Sequence, residues 1–350
     1  MKKEDLTYQY VIDNITPRLY DLEGMFWVVV ATDLCEKYGR EGEKAARKWM
    51  RLHAGWRGQQ IRKGAQAVGA QPNCENLYAY TDLCINNAFS PMWKKEYDWT
   101  PYRVTLDVSP GECVLWDRFK QHDIGFLGDV FCDEMHISFT STYHPDMTVV
   151  IPRCMTKGDD HCHFQWVMPG DAKEPEYIEP YPGEDVLADW NYDSVADICT
   201  GSLRKMMRWY AAEIFYLRQV LTELVPDKAE EEFERLLKLW EDARAECIVE
   251  RNPSVGETSP REFLEYVDVP FTYTWQSEIT DTEDGIEMEI SYCPFSECWK
   301  WLKDEGNMQT YCDTCYKTMF ARMNPDCEVS LDSCMTRGDK VCKLKITKSK

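Results

Sequence analysis

Apolar positions along the chain recur first at helical and then at strand spacing, and the sequence does this twice. Leu22, Phe26, Val29, Val30 and Leu34 mark one face of a helix beginning near residue 21. Gly39 and Gly42 are expected to break it, and Ala45, Ala46, Trp49 and His53 carry the stripe onto a second helix. Gly55-Trp56-Arg57-Gly58 then reads as a turn or a kink. From Tyr102 the period changes. Val104, Leu106 and Val108 alternate with polar residues, which predicts a strand ending at Pro110-Gly111. A helix is expected from Cys113 toward Cys132. Thr148 to Pro152 and His163 to Val167 read as strands flanking a turn at Gly158-Asp159.

The same order returns after residues 169–186, a stretch rich in Pro, Glu and Tyr. Leu203, Met206, Tyr210, Ile214, Leu217 and Leu221 hold one helical stripe. Asp227 with Glu230 has the spacing of a capping box, and Phe233, Leu236, Leu237, Trp240, Ala243 and Cys247 continue behind it. Ile286, Met288 and Ile290 alternate as a strand. The expected fold class is α+β, a tandem duplication in which each copy is an N-terminal helical part followed by a small antiparallel sheet. The expected division is a first copy at 1–168, a linker at 169–186 and a second copy at 187–350.

Cysteine spacing supports the duplication. Cys113, Cys132, Cys154 and Cys162 reappear 180 residues later as Cys293, Cys312, Cys334 and Cys342. The phrase Cys-Met-Thr-Lys-Gly-Asp-Asp-His-Cys from Cys154 returns as Cys-Met-Thr-Arg-Gly-Asp-Lys-Val-Cys from Cys334. The histidines do not repeat. His53, His122, His136, His144, His161 and His163 all lie in the first half, and the second has Tyr316, Asn324, Val341 and Lys343 opposite the last four. Histidine is the commonest acid–base and metal side chain near neutral pH, so chemistry is assigned to the first copy and support to the second.

Net charge changes the choice of partners. With 61 acidic and 40 basic side chains the formal charge is −21, which argues against nucleic acid and anionic membrane surfaces and leaves a small molecule as the expected partner. Self-association into a homo-oligomer is compatible with this balance. No apolar run reaches the roughly 18 residues of a membrane span, and no signal-type apolar core follows the first residues, so a cytoplasmic protein is expected. Sixteen cysteines in a reducing compartment point to metal, catalysis or burial rather than disulfides, and suit an oxygen-poor cell.

Two constellations carry candidate chemistry. In the first, Cys154 and Cys162 across their turn, with Cys132 upstream and His136, His163 or Cys113 as a fourth donor, make a sulfur-rich set of the kind zinc accepts; Cys312 or Cys315 with Cys334 and Cys342 would be an all-sulfur analogue. Small buried thiols packing a turn are the plainer reading. In the second, Cys132 and His136 stand at i and i+4 with Asp133 and Glu134 between them, the composition of an activated thiol. Arg57 and Arg118 are candidate clamps for a carboxylate, and Trp56 a candidate pocket wall.

Leu127-Gly128-Asp129, Cys132-Asp133-Glu134, Pro145 and the run from Cys154 to Phe164 together resemble the L-2-amino-thiazoline-4-carboxylic acid hydrolase family. The hairpin of two cysteines with seven residues between them is also similar to that of the 4-vinyl reductase domain. There it helps hold zinc beside an aromatic ligand, with an acid three positions before the first cysteine; this chain has Ile151 and Leu331 at those positions. The hydrolase resemblance implies opening of a C–N bond in a small cyclic, carboxylate-bearing substrate. Cys132 or a metal would activate water or attack the ring, and Asp133, Glu134 or His136 would move the proton. The vinyl-reductase resemblance implies a small-molecule-binding protein without turnover. A thiol-based metal or redox protein is the third class the residues allow.

Overall fold

The computed structural model describes residues 3–79, 99–186, 193–267, 274–303 and 308–348. The first copy contains helices α1 (Thr16–Tyr38), α2 (Arg40–Ala67), α3 (Val114–Gln121) and α4 (Phe126–Tyr143). Its strands are β1 (Trp99–Thr100), β2 (Arg103–Val108), β3 (Thr148–Arg153) and β4 (Cys162–Val167). The second copy repeats the set with α5 (Val195–Leu224), α6 (Ala229–Arg251), α7 (Pro294–Trp301) and α8 (Gln309–Met323). Its strands are β5 (Gln276–Asp281), β6 (Gly285–Tyr292), β7 (Cys327–Ser333) and β8 (Cys342–Lys348). Short helices at Cys74–Ala79 and Pro260–Tyr266 accompany the two sets.

Both sheets are four-stranded and antiparallel, in the orders β1-β2-β4-β3 and β5-β6-β8-β7. Their registers correspond. Cys162, Phe164 and Trp166 oppose Val108, Leu106 and Val104, and Cys342, Leu344 and Ile346 oppose Ile290, Met288 and Ile286. Alternation sends these residues to the buried face, and each sheet carries an irregularity just before its hairpin cysteine. The chain is thus a tandem α+β duplication.

The helices of the two copies share one core. Phe26 of α1 meets Trp49 of α2, Tyr210 of α5 and Trp240 of α6 edge-on at 5.3–5.4 Å. The Trp49 indole donates to the Glu213 carbonyl at 2.8 Å, and Arg235 grips Asp33 through both terminal nitrogens. The second sheet joins this core, whereas the first sheet packs with Ile61, Tyr143 and Met147 in a core of its own. Residues 169–186 form no helix or strand. They are held by a buried ion pair, Lys63 to Glu184 at 2.9 Å, and by Tyr181, which lies under Lys63 and stacks on Trp301.

Four local expectations change. Gly55 to Gly58 lie inside α2, not in a turn. A Cβ on Gly58 would stand 2.2 Å from the Phe139 carbonyl and the Thr142 hydroxyl, so the glycine is there to let α4 approach. Gly39, at φ +56°, ends α1, but Gly42 is already in α2. Asp227 sits in a short 3-10 turn and α6 starts at Ala229 with no side-chain cap bond; Ser259 and Glu262 form a capping box instead. The expected helix from Cys113 to Cys132 is two helices, parted by Gly125 at φ +54°.

Candidate functional site

Each copy gathers four thiols from four elements. Cys113 caps α3, its sulfur accepting from the Trp116 amide at 3.4 Å; Cys132 lies on α4, Cys154 follows β3 and Cys162 opens β4. The backbone between the last two is tightly held. The Cys154 amide donates to Asp159 at 2.7 Å, the Met155 amide donates to the Cys162 sulfur at 3.2 Å, and Thr156 contacts the Cys154 sulfur at 3.1 Å. The second copy reproduces this with Cys293 capping α7, Asp339 at 2.7 Å, Met335 at 3.2 Å, Thr336 at 3.0 Å and Cys342 donating to Cys334 at 4.0 Å.

In both clusters the first cysteine of the hairpin carries the charge. Cys132 and Cys162 donate to Cys154, which pulls its thiol far below the usual range and pushes theirs up; Cys334 stands likewise to Cys312 and Cys342. Cys113 and Cys293 stand close enough to be felt by the other thiols. Cys315 faces Glu241 instead. Among the described residues no group of three or more His, Cys, Asp or Glu side chains is arranged to hold a metal ion.

What sits beside the thiols differs between the copies. In the first, His136 packs on Phe164 at 4.5 Å and Trp166 at 6.1 Å. Burial lowers its pKa to about 4, with Arg57 adding to the shift and Cys154 and Asp133 opposing it, so the ring is a neutral base at pH 7. Arg57 is 6 % exposed and lies 3.1 Å above the Trp209 ring of α5. In the second copy Tyr316 replaces His136 among Cys293, Cys312, Arg244 and Glu241, and Leu344 and Ile346 replace the aromatic pair. The sulfur clusters are common to both copies; the base and its aromatic walls belong to one.

Several predicted site residues have structural partners. Asp133 binds Lys157 at 2.8 Å, matched by Asp313 with Arg337 at 3.2 Å, so this pair ties helix to hairpin in both copies. Glu134 is held by Arg47 and Arg51 of α2. Arg118 donates to Gln121 on α3. His163 lies on the face of β4 opposite Cys162, bonded to Asp107 and Gln165, and strand alternation keeps it from the thiols. Lys343 with Glu289 takes its place in the second sheet. His144 accepts from the Asp146 amide at 3.1 Å as Asn324 does from Asp326 at 2.9 Å, a turn role that either side chain fills. Trp56 lines a small cleft between the copies, with Trp209, Trp301, Arg208 and Glu184.

The residues missed from sequence lie on the helices between the copies. Arg244 stands 187 residues after Arg57 rather than 180, and ion-pairs with Glu241 at 3.2 Å. Glu213 is fully buried and Glu23 is 6 % exposed. An acid on an amphipathic helix is normally solvated, so neither stands out in the sequence; α1 and α5 bring the two together. His53, fully buried and stacked on Trp209, is held neutral by burial and by Arg57.

Its pKa lies well below the unfolded 6.5, so the unfolded chain binds a proton that the folded chain refuses. Stability is therefore expected to fall as pH drops below about 6.5. Denaturant midpoints between pH 7.5 and 5 should decline less steeply in His53→Gln; equal slopes would remove this role.

The sequence profile of the L-2-amino-thiazoline-4-carboxylic acid hydrolase family matches residues 20–166 and again residues 206–346. No curated protein and no solved structure matches the chain. The two matched regions each take in a helical part, a sheet and a four-thiol cluster. The chain belongs to the L-2-amino-thiazoline-4-carboxylic acid hydrolase family, in two tandem copies.

Proposed function

We propose that the chain is a hydrolase that opens a C–N bond of a small cyclic substrate bearing a carboxylate, working from the first copy. One observation carries the proposal: a neutral imidazole, His136, stands between aromatic rings, a buried guanidinium and a thiol cluster in one copy only. Arg57 would hold the carboxylate and the rings would hold the heterocycle. His136 would take the proton from water or from the attacking thiol, and return it to the departing nitrogen. Cys132, half-buried where Cys154 is buried and one turn from His136 on α4, would be the thiol that meets substrate. Asp133 and Glu134, both ion-paired, act by fixing α4.

The test is incubation with L-2-amino-thiazoline-4-carboxylate, read as a product heavier by one water. Arg57→Lys should raise KM at least about tenfold, since a point charge replaces a bidentate fork, while kcat changes only a few-fold. An unchanged KM would take Arg57 out of substrate binding.

All fifteen described cysteines are free thiols, which suits the reducing cytoplasm where we place the protein. The sulfur donors match zinc in kind but are not arranged as a metal site, so no step is routed through a metal. A second reading, a binding protein without turnover, is supported by the cleft walled by Trp56, Trp209 and Trp301. Tight binding of the substrate with no water added would favour it.

A further inference from the structure

Arg57 belongs to the first copy, but the ring that holds its side chain belongs to the second. Its guanidinium carbon lies 3.1 Å over the Trp209 ring of α5, and 5.8 Å from the Phe139 ring of α4, the helix that carries His136. Arg57 and Trp209 are each 6 % exposed, so the contact is shielded from water. His53, one turn before Arg57 on α2, stacks on the same indole at 5.8 Å. The two helices are pinned at this level. Glu213, one turn beyond Trp209, accepts at its carbonyl from the Trp49 indole of α2 at 2.8 Å. Arg244, the counterpart in the second copy, is held in another way: its Nη1 donates to both carboxylate oxygens of Glu241 at 3.2 Å.

The difference matters for a ligand. A carboxylate grips a guanidinium through its in-plane N–H groups, the same groups that a second carboxylate would need. A ring face grips it from above and does not draw on those donors. It also fixes the plane of the fork before the ligand arrives, so less side-chain entropy is lost on binding. We propose that Trp209 of the second copy is the positioning residue for Arg57, which makes the substrate site a composite of both copies. Trp209 acts through Arg57, so its loss is felt in carboxylate binding and not in proton transfer at His136. The carboxylate role of Arg57 itself rests on the hydrolase reading above.

Substitution of Trp209 in the full chain tests this, with L-2-amino-thiazoline-4-carboxylate as the probe. Trp209→Leu loses the ring, and KM is expected to rise about tenfold with kcat within a few-fold. Trp209→Phe keeps a smaller ring, and KM should rise about threefold. In an Arg57→Lys background Trp209→Leu should add no more than about twofold, since an ammonium has no plane to align. Equal KM in Trp209→Leu and the parent, or equal effects in the two backgrounds, would overturn the proposal. Where Trp209→Leu does not fold, Trp209→Phe decides, and an unchanged KM there overturns it. If the parent binds the probe without adding water, the same ratios in dissociation constants from titration calorimetry keep the role of Trp209 and remove the hydrolase reading. Turnover with KM indifferent to Trp209 does the reverse. A parent chain that neither binds nor opens the probe overturns both.

Discussion

His136→Ala is expected to lower kcat by about a hundred- to ten-thousand-fold, with little loss of stability. The large effect follows from its state as well as its place. At neutral pH the ring is unprotonated because burial and Arg57 disfavour the imidazolium, so it can accept a proton when the ring carbon is attacked. The small cost in stability follows from neighbours that are rings rather than hydrogen-bond partners. The matched control is Tyr316→Ala, which alters the same position of the second copy and should leave kcat within a few-fold. Cys132→Ala and Cys312→Ala form a second matched pair with the same expected contrast. Rates within tenfold of the parent for His136→Ala, with circular dichroism unchanged, would end the assignment.

The second large effect is on architecture. Gly58→Ala is expected to cost about 3 kcal/mol and to lower Tm by roughly 5 °C or more, because the added carbon meets the α4 backbone rather than a mobile side chain. The Phe139 carbonyl would be 2.2 Å away, and Tyr143 N 3.0 Å. Relief requires α4 to move away from α2, and α4 carries Cys132 and His136. Turnover should therefore fall along with stability. Gly55→Ala, one helical turn earlier, meets only the Thr142 methyl at 3.4 Å and should be nearly neutral. Differential scanning calorimetry of the two variants separates close helix approach from a general intolerance of alanine in α2. Equal Tm values would refute the packing argument.

Much of the fold was legible because it is written in local period. Val104, Leu106 and Val108 alternate as a half-buried strand must, and the repeated cysteine register marks two equivalent hairpins. Gly55 to Gly58 misled because a glycine signals either a turn or a close neighbour, and the neighbour lies some eighty residues further on. Asp227 misled because the Pro226 turn precedes the helix that the capping pattern implied. The site was legible where it depends on sequence neighbours: Cys132 and His136 do share α4. It was hidden where it depends on two copies facing. Arg244 is displaced by seven residues from the cysteine register, which is about two helical turns and so preserves the face while spoiling the alignment. Glu23 and Glu213 gave no signal, since an acid on an amphipathic helix is normally in water.

The aromatic contact of Phe26 with Trp49, Tyr210 and Trp240 has an evolutionary corollary. A single ancestral unit would have presented this surface bare and covered it only by pairing with another of its kind. In such a pair every substitution strikes both partners, so an imidazole lost from one is lost from both. Joining the units end to end removes that constraint, so the two members can differ at one position, as His136 and Tyr316 do.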